Sequence, residues 1–493
     1  PLLSTGFDVT IEAGLALVVA KRRFRNDEEE SIEVTITFPI PVHATLFSLE
    51  ARIDGRNLRA RAQRRAAARD TYEAALKQGK SAVLHEEVLR GVHMLSVGHI
   101  PPGGEIEVTT SWAMTLSIVN NRGFLRIPLT VGDIYGRSGL SDSDDLTHGG
   151  PSQSAKLIVR CGNGTVVLKD HRLNEGSATV PLNRPIDLTL SNWTPRDLHG
   201  QAADGREVVL RVEPQDANDS TLSAAVLIDR SGSMAEASDA GRPQTTKHQA
   251  VIKALTAVAK QLGDRDVIDL WEFDDSVNRV EQRAPSRPTA PSPKRRKTSL
   301  QKTLLDLIGH MQAPSGGTEI GAALGKVIEQ SKARDVLLVT DGKSYALDVQ
   351  TLASFGRRIT VVLVGEDSLE ANVGHLAALT GGDIFVATGA DLQHVLAAAV
   401  GALRHHHEQP RCIKGGFRHI EAKRGNAAIS AEWRKTKGQT EATDLGRAVA
   451  AVSASIALPA LPVEAATELA EAEGLVTHLT SLVLVDEEGV VLK

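Results

Sequence analysis

Apolar and polar residues alternate in several parts of the N-terminal sequence, as they do in strands with one buried face. Residues Ile32 to Phe38 alternate strictly, and residues Ile106 to Trp112 do so less strictly. Between them, residues Arg61 to Lys77 are rich in Ala, Arg and Glu, contain no Gly or Pro, and are followed closely by Gly79. This composition and this ending predict one helix. The first part is therefore predicted to be a β-meander interrupted by one helix.

Short strand-like runs separated by turn residues continue from about Gly123 to Glu213, and they predict an all-β region. At Leu222 the pattern changes, because apolar strands begin to alternate with amphipathic helices, as in a parallel sheet covered on both faces. The strands predicted in this second part are Ala224 to Ile228, Val267 to Phe273, Val336 to Val339, Ile359 to Val364 and Asp383 to Val386.

Helices are predicted between these strands, because apolar residues recur there at helical spacing. They contain Val251, Leu255, Val258 and Leu262, then Ile320, Leu324 and Ile328, then Leu376 to Leu379. The helical pattern ends near Arg404. Beyond His407 the chain returns to β-like runs, with one helix from about Val463 to Ala472. The predicted fold class is multidomain, with a β-rich N-terminal domain and a β-sandwich-like region plus a doubly wound, Rossmann-like α/β domain.

Composition limits the function classes. The chain has 493 residues, which predicts roughly two to four domains. A net charge of −5 makes the molecule a poor match for nucleic acid, so no nucleic-acid partner is expected. Cys161 and Cys412 form no C-x-x-C pattern and are expected to be free thiols. The apolar run Ala13 to Ala20 is too short to span a membrane. The expected location is cytoplasmic if the chain is complete, and secreted or periplasmic if a leader was removed.

Oxygen-bearing side chains follow the predicted strands, at the end of the sheet where open α/β sheets bind ligands. Asp229, Ser231 and Ser233 follow the first strand, Thr318 lies in a loop that opens a helix, and Asp341 follows a later strand. Two carboxylates and three hydroxyls form a hard donor set that suits Mg²⁺ first, or Mn²⁺ or Ca²⁺, rather than zinc or copper. Each residue alone is also an ordinary turn former or helix cap, so the prediction depends on the five together.

Magnesium prefers six ligands and keeps some water, so this donor set leaves a coordination position open. An Asp or Glu carboxylate of a protein partner could fill that position, which predicts metal-dependent protein binding. One alternative is a hydrolase in which the ion activates water and Asp274 or Asp275 acts as the base. Another is a structural subunit in which the metal only stabilises a loop. The sequence contains no recognised catalytic motif, so a non-enzyme is the prediction.

The residues Asp229-Arg230-Ser231-Gly232-Ser233-Met234, with Gly316-Gly317-Thr318 and Val339-Thr340-Asp341-Gly342, resemble the metal-ion-dependent adhesion site of von Willebrand factor type A domains. All five positions of that motif are present. The resemblance implies that the two Ser and the Thr bind the ion through their hydroxyls, and that Asp229 and Asp341 act directly or through water. It also implies adhesion-type binding of a protein ligand.

The N-terminal part resembles a VIT domain, the vault and inter-alpha-trypsin module. The matching residues include Phe38-Pro39-Ile40-Pro41, Ala68-Arg69-Asp70-Thr71-Tyr72-Glu73-Ala74-Ala75 and Val97-Gly98-His99-Ile100-Pro101-Pro102-Gly103. Near the other end, Gly474 to Val483 resembles the segment that closes such proteins. The resemblance implies the architecture of inter-alpha-trypsin inhibitor heavy chains and their bacterial relatives.

Four regions are predicted from these patterns and resemblances: a VIT domain at residues 1–122, a β-rich connecting region at 123–217, a von Willebrand factor type A domain at 218–405, and a C-terminal β-rich region at 406–493. In the family, β-rich segments before and after the type A domain can pack together. The hypothesis is that residues 406–493 pack with 123–217 and that the α/β domain is an insertion.

Two weaker signals remain. The basic stretch from Arg283 to Thr298 could bind an acidic partner or nucleic acid, but a solvated loop is the simpler interpretation. His405 to His407 with Cys412 could bind a soft metal, but the His run follows a predicted helix end, where cations are favourable, and it lacks paired ligands at a defined spacing.

Overall fold

The computed structural model describes residues 2–53, 55–129, 154–168, 171–173, 175–182, 185–215, 220–238, 245–281, 299–344, 347–365, 368, 371–387, 391–405, 411–412, 419–435 and 443–486. These residues form two compact units. The first takes its described residues from 2 to 215 and from 411 to 486, and the second from 220 to 405. In sequence, the second unit is therefore inserted into the first.

The first unit contains four β-sheets. One runs in the order β15 (Glu175–Pro181), β12 (Ser154–Cys161), β1 (Leu2–Glu12), β2 (Leu15–Arg25), β9 (Glu105–Thr115), β4 (Thr45–Ile53) and β5 (Arg56–Arg59). A second runs β10 (Ser117–Val119), β11 (Arg122–Ile127), β16 (Ile186–Ser191), β13 (Thr165–Leu168) and β14 (His171–Arg172). These counts and orders refer to the described part of the chain.

The other two sheets of this unit include strands from the C-terminal segment. One runs β3 (Ile32–Pro39), β8 (Val92–Ile100), β7 (Ala82–Leu89), β28 (Thr480–Val485) and β6 (Arg61–Arg64). The other runs β17 (Leu198–Gln201), β18 (Glu207–Pro214), β27 (Ala427–Arg434), β26 (His419–Arg424) and β25 (Arg411–Cys412). The helices described here are α1 (Arg65–Lys77), α8 (Asp444–Ala457) and α9 (Val463–Ala472), and a 3-10 turn spans Leu458–Ala460.

The first half of strand β2, from Leu15 to Val18, is buried on both faces. Leu15 and Leu17 belong to a core that includes side chains of α8, whereas Ala16 and Val18 belong to a second core on the opposite side of the sheet. Side chains of a strand alternate between the two faces. The continuous apolar run in this part of the sequence is therefore explained by the first half of β2, where neither face is exposed to solvent.

The second unit is built on a sheet in the order β21 (Val277–Arg279), β20 (Val267–Phe273), β19 (Ser223–Asp229), β22 (Asp335–Thr340), β23 (Arg358–Val364) and β24 (Ile384–Ala387). All neighbouring pairs in this order are parallel except β20 with β21. The helices described in this unit are α2 (Lys247–Ala259), α3 (Leu300–Ile308), α4 (Ile320–Gln330), α5 (Val349–Ser354), α6 (Ala371–Thr380) and α7 (Leu392–Arg404).

These helices form two groups: α2 contacts α3 and α7, and α5 contacts α4 and α6. Leu324 of α4 and Leu376 of α6 pack with Leu338 of the central strand β22 in one core. Strand order reverses at β19, as in doubly wound sheets. The predicted fold class, a β-rich part plus a doubly wound α/β part, is confirmed.

Two predicted elements need correction. The helix predicted from Arg61 begins at Arg65, because residues Arg61–Arg64 instead form β6 and pair with β28. The prediction of a β-rich region with one helix beyond His407 missed α8, which has 14 residues and is capped by the Thr443 hydroxyl. Helix α8 is buried around most of its circumference, at positions that include Ala448, Val449, Ala450, Ala451 and Val452.

The C-terminal segment contributes to two sheets of the first unit. Strand β27 pairs with β18 along Glu207–Pro214, and β28 pairs with β7 and β6. The first of these pairings joins residues of the predicted region 123–217 to residues of the predicted region 406–493. The four predicted domain boundaries themselves stay predictions.

Several expectations fall partly or wholly outside the described residues. The basic stretch 283–298 and His406 and His407 lie outside them, and so does the side chain of Cys412. Cys161 is described and is a buried free thiol. Among the helices that the structure describes, none has the length and apolar character needed to cross a membrane.

Candidate metal centre

Asp229 and Asp341 lie at the carboxyl ends of two adjacent parallel strands. Asp229 is the last residue of β19, and Asp341 directly follows β22, whose register places Val339 beside Ile228. Both aspartates are fully buried, with 0% exposure. The fold therefore brings the two carboxylates to the same edge of the sheet. They are far apart in sequence, because Thr340, the residue before Asp341, lies 111 positions after Asp229.

Ser231 and Ser233 lie on the turn that follows β19. The backbone N–H of Ser231 donates to Asp229 Oδ1 at 2.8 Å, and the two serine hydroxyl oxygens are 3.2 Å apart. A 3-10 turn at Gly232–Ala235 follows, and its Met234 side chain is fully buried. This anchored turn directs both hydroxyls to one place beside Asp229.

The loop that contains Thr318 is hydrogen-bonded to this turn. The N–H of Ser315 donates to the Arg230 carbonyl at 2.7 Å, and the N–H of Gly232 donates to the Gly316 carbonyl at 3.0 Å. Thr318 follows these bonds by two residues, lies just before α4 and is half-buried. Within the described residues its hydroxyl has no hydrogen-bond partner. The structure thus brings the loops of all five predicted ligands together.

Glycine is required at position 316 for two reasons. Its φ is +72°, a left-handed conformation that other residues rarely adopt. A Cβ atom would also lie 2.5 Å from the Asp275 carboxylate, which accepts a hydrogen bond from Gly317 N–H at 2.9 Å. The two glycines therefore allow the close approach that fixes the position of Thr318.

Arg230 lies between the predicted ligands in sequence but its side chain points to a different partner. Its guanidinium contacts Asp274 Oδ2 at 2.7 Å and donates to the Ser315 hydroxyl at 2.8 Å. Burial alone would raise the pKa of Asp274, but hydrogen bonds from Ser276 and the charge of Arg230 hold it below its ordinary value. Asp274 and Asp275 are therefore occupied in holding the loops together, which does not favour either of them as a catalytic base.

The two buried carboxylates repel each other. Burial and the charge of Asp341 raise the pKa of Asp229 to about 7, although Ser231 and Thr340 donate hydrogen bonds that oppose the rise. The Thr340 hydroxyl donates to Asp229 Oδ2 at 2.6 Å. A cation held beside both carboxylates would offset this repulsion.

A buried ammonium group lies next to Asp341. Lys247 Nζ is 3.0 Å from Asp341 Oδ2 and 3.1 Å from Glu236 Oε2, and Lys247 is fully buried. Lys343 Nζ also contacts Glu236, at 3.0 Å. None of these three residues was predicted from the sequence to belong to the site. One signal was available for Lys247, because it is the first residue of α2, where the helix dipole disfavours a cation unless a partner compensates.

The donor set fits a hard divalent cation. It combines two carboxylates with hydroxyls and contains no sulfur or imidazole, as magnesium, manganese and calcium prefer. In the described residues, no group of three or more His, Cys, Asp or Glu side chains is arranged to hold a metal ion. A centre at Asp229 therefore depends on its hydroxyl ligands.

Two family models match the chain. Residues 2–112 match the vault protein inter-alpha-trypsin domain, and residues 224–343 match the von Willebrand factor type A domain. The second range includes all five predicted ligands. The predicted resemblances to these two domains are therefore confirmed.

Curated relatives match over parts of their length. The chain is 30% identical over 198 residues to von Willebrand factor A domain-containing protein 5A of Mus musculus, covering 39% of this chain and 23% of the relative. It is 32% identical over 150 residues to the Homo sapiens protein of the same name, covering 30% and 19%. It is also 28% identical over 117 residues to protein mono-ADP-ribosyltransferase PARP4 of Mus musculus, covering 24% and 6%. The matched regions thus span less than a quarter of each relative.

Solved structures resemble parts of the chain at low identity. A von Willebrand factor type A structure from Catenulispora acidiphila has a TM-score of 0.32 and 17% identity, covering 50% of this chain and 66% of that one. The open conformation of the pilus adhesin SpaC from Lactobacillus rhamnosus GG has a TM-score of 0.26 and 11% identity, covering 49% and 41%.

The two family matches lie on the two units of the structure. The first match falls within the β-rich unit, and the second falls on the α/β unit from β19 to just beyond β22. The chain therefore carries a vault protein inter-alpha-trypsin domain within its β-rich unit and a von Willebrand factor type A domain on its α/β unit.

Proposed function

We propose that this protein binds a protein partner through a divalent cation held by Asp229, Ser231, Ser233, Thr318 and Asp341. The observation that carries the proposal is the pair of fully buried carboxylates, whose repulsion helps to raise the pKa of Asp229 to about 7. A dication offsets two such charges, whereas a buried carboxylate pair without one is costly. Mg²⁺ is the first choice, with Mn²⁺ or Ca²⁺ as alternatives.

The charge balance around the centre supports a carboxylate as the partner's group. With Asp229 ionised, the carboxylates of Asp229, Asp341 and Glu236 and the ammonium groups of Lys247 and Lys343 leave one net negative charge. A bound dication would change this to one net positive charge. An Asp or Glu side chain of a partner complements that charge and is a hard oxygen ligand.

Direct metal binding tests the first half of the proposal. Mn²⁺ binding to the full chain would be measured by electron paramagnetic resonance, and competition with Mg²⁺ would follow. Asp229→Ala and Thr318→Ala are expected to weaken binding by about tenfold or more, since each removes a ligand. Asp306→Asn is the matched control, because Asp306 is an exposed carboxylate on α3. Equal Mn²⁺ binding by the wild type and Asp229→Ala would refute the proposed centre.

Partner capture tests the second half. Proteins retained by the immobilised chain with Mg²⁺ and released by EDTA would be identified by mass spectrometry. Retention should be lost in Asp229→Ala and kept in Asp306→Asn. A complex that forms equally with Mg²⁺ and with EDTA would overturn metal-dependent recognition and would favour a structural subunit.

A further inference from the structure

The first unit contains a cavity of about 720 Å³ whose lining includes three arginines. We propose that this cavity binds a small organic anion through a phosphate or carboxylate group held by Arg59, Arg61 and Arg447. The volume is typical of small-molecule sites, which occupy roughly 300 to 1,000 Å³. This proposal is independent of the metal centre, because all residues that line the cavity belong to the first unit.

Three separate elements bring the arginines to the cavity. Arg59 is the last residue of β5, Arg61 is the first residue of β6, and Arg447 lies on α8. Between the two strands, the Ala60 N–H donates to the Leu49 carbonyl at 2.9 Å and fixes the chain there. The cavity thus lies where two sheets and a helix meet, and its charge comes from rigid elements.

The arginines have few partners of their own. In the described part of the chain, the side chains of Arg59 and Arg61 make no hydrogen bond or ion pair. Arg447 lies over the Phe47 ring at 5.7 Å, and the Asp444 carboxylate is 4.0 Å from it. Burial and then the charge of Arg59 lower the pKa of Arg447. An anion between these two guanidinium groups would relieve their repulsion.

Two carboxylates also line the cavity, but each is held by the backbone. Glu471 accepts a hydrogen bond from the Arg64 N–H at 2.8 Å, and Glu473 accepts one from the Ala203 N–H at 2.9 Å. Burial raises the pKa of Glu473 above its ordinary value. Neither carboxylate forms an ion pair with Arg59, Arg61 or Arg447 within the described residues. The three guanidinium groups therefore outweigh the acidic groups in the cavity.

Guanidinium groups match the paired oxygens of phosphates and carboxylates, and such charge-assisted hydrogen bonds are strong. Small side chains make room for the rest of the ligand: Ala60, Ala62, Ala203, Ala450 and Ala472. A hydrophobic ligand is less suited, because the cavity is lined by polar as well as apolar groups. The chemistry therefore favours a compact, polar anion.

Calorimetric titration of the full chain at low ionic strength tests the proposal. The probes are inorganic phosphate, glycerol 3-phosphate and succinate, which separate a phosphate site from a carboxylate site. The wild type is expected to bind at least one of them. Arg59→Gln with Arg61→Gln should weaken that binding by about tenfold or more, since two charged donors are lost. Arg52→Gln is the matched control, because Arg52 is exposed on β4 and does not line the cavity.

A second variant separates shape from charge. Ala472 is exposed at the cavity wall, so Ala472→Met should fold normally, fill part of the space and weaken binding without changing any charge. Absence of binding by the wild type to all three probes would overturn the proposal. So would an equal loss of affinity in Arg52→Gln and in the double variant, because binding would then follow net charge alone.

Discussion

Acid should destabilise the first unit through two buried histidines. His85 and His93 are 0% and 2% exposed, and their ring centroids are 5.3 Å apart. Burial lowers the pKa of His93 to about 4; Glu87 opposes this, and the charges of Arg90 and Arg22 add to it. Burial also lowers the pKa of His85 well below its ordinary value, and His93 and Arg22 add to that effect. Both imidazoles are therefore neutral in the folded protein at neutral pH.

The sign and size of the effect follow from linkage. Above pH 6.5, the ordinary value, His93 is neutral in both the folded and unfolded states, so it contributes no pH dependence. Below pH 6.5 the unfolded chain takes up a proton that the folded unit does not, so the free energy of unfolding decreases as the pH decreases. At about 1.4 kcal/mol per pH unit, His93 alone should remove about 3 kcal/mol between about pH 7 and about pH 4.

Tryptophan fluorescence can isolate this unit. The chain has four tryptophans, and Trp271 is the one in the second unit, so Trp271→Phe leaves signals from Trp112, Trp193 and Trp433 of the first. Urea unfolding would be compared with and without His93→Gln in that background. The variant should lose about 3 kcal/mol less than its parent between about pH 7 and about pH 4. A difference between the two proteins that stays constant over this range would refute the reasoning.

Three further outcomes are expected. Lys247→Met should destabilise the metal-free second unit by about 3 kcal/mol, because it leaves the buried Asp341 carboxylate without its ammonium partner. Lys253→Met, on the exposed side of α2, should change the stability little. Urea unfolding with EDTA measures both variants, and equal stabilities would contradict the assigned ion pair. Gly382→Ala should destabilise the second unit by about 3 kcal/mol, because its Cβ would lie 1.9 Å from the Ile359 carbonyl oxygen. Gly325→Ala in α4 should stabilise the same unit by about 1 kcal/mol. The midpoint temperature of thermal unfolding should therefore fall for the first variant and rise for the second. Tyr72→Phe should lower the free energy of unfolding of the first unit by about 1 kcal/mol, because it removes the 2.6 Å hydrogen bond to Glu33. An unchanged unfolding midpoint would show that this bond adds no stability.

Local sequence pattern predicts those strands and helices whose bounds are determined by neighbouring residues. Strand Val267–Phe273 and helix Val463–Ala472 have the predicted bounds, since apolar spacing and flanking breakers mark their ends. Residues Arg61–Arg64 look helical by composition but form a strand, because β28 pairs with them from far along the chain. A local sequence pattern cannot show a pairing strand that is so far along the chain. Helix α8 was not predicted, and ten of its 14 residues are buried in the core of the first unit.

The candidate centre shows the same limit. Four of the five oxygen ligands lie at or after strand ends, and Thr318 lies just before α4. All five could be predicted from the sequence, although their role as ligands remains a prediction. Lys247 could not be placed, because its contact with Asp341 depends on how α2 packs beside the sheet. The grouping of the cavity arginines could not be predicted either, since Arg59 and Arg447 line the same cavity only when distant segments fold together. The position of Lys247 and the grouping of the cavity arginines both depend on contacts between segments that are far apart in sequence.

The position of β28 has a consequence for biosynthesis. This strand lies between β7 and β6, so the sheet of the N-terminal part is incomplete until residues Thr480–Val485 have left the ribosome. The α/β unit has all its described residues between 220 and 405, and it can fold earlier. A chain that stops before β28 exposes unpaired strand edges, which invite aggregation and proteolysis. Completion of this sheet is thus coupled to synthesis of the chain as far as Val485, which includes the whole α/β unit.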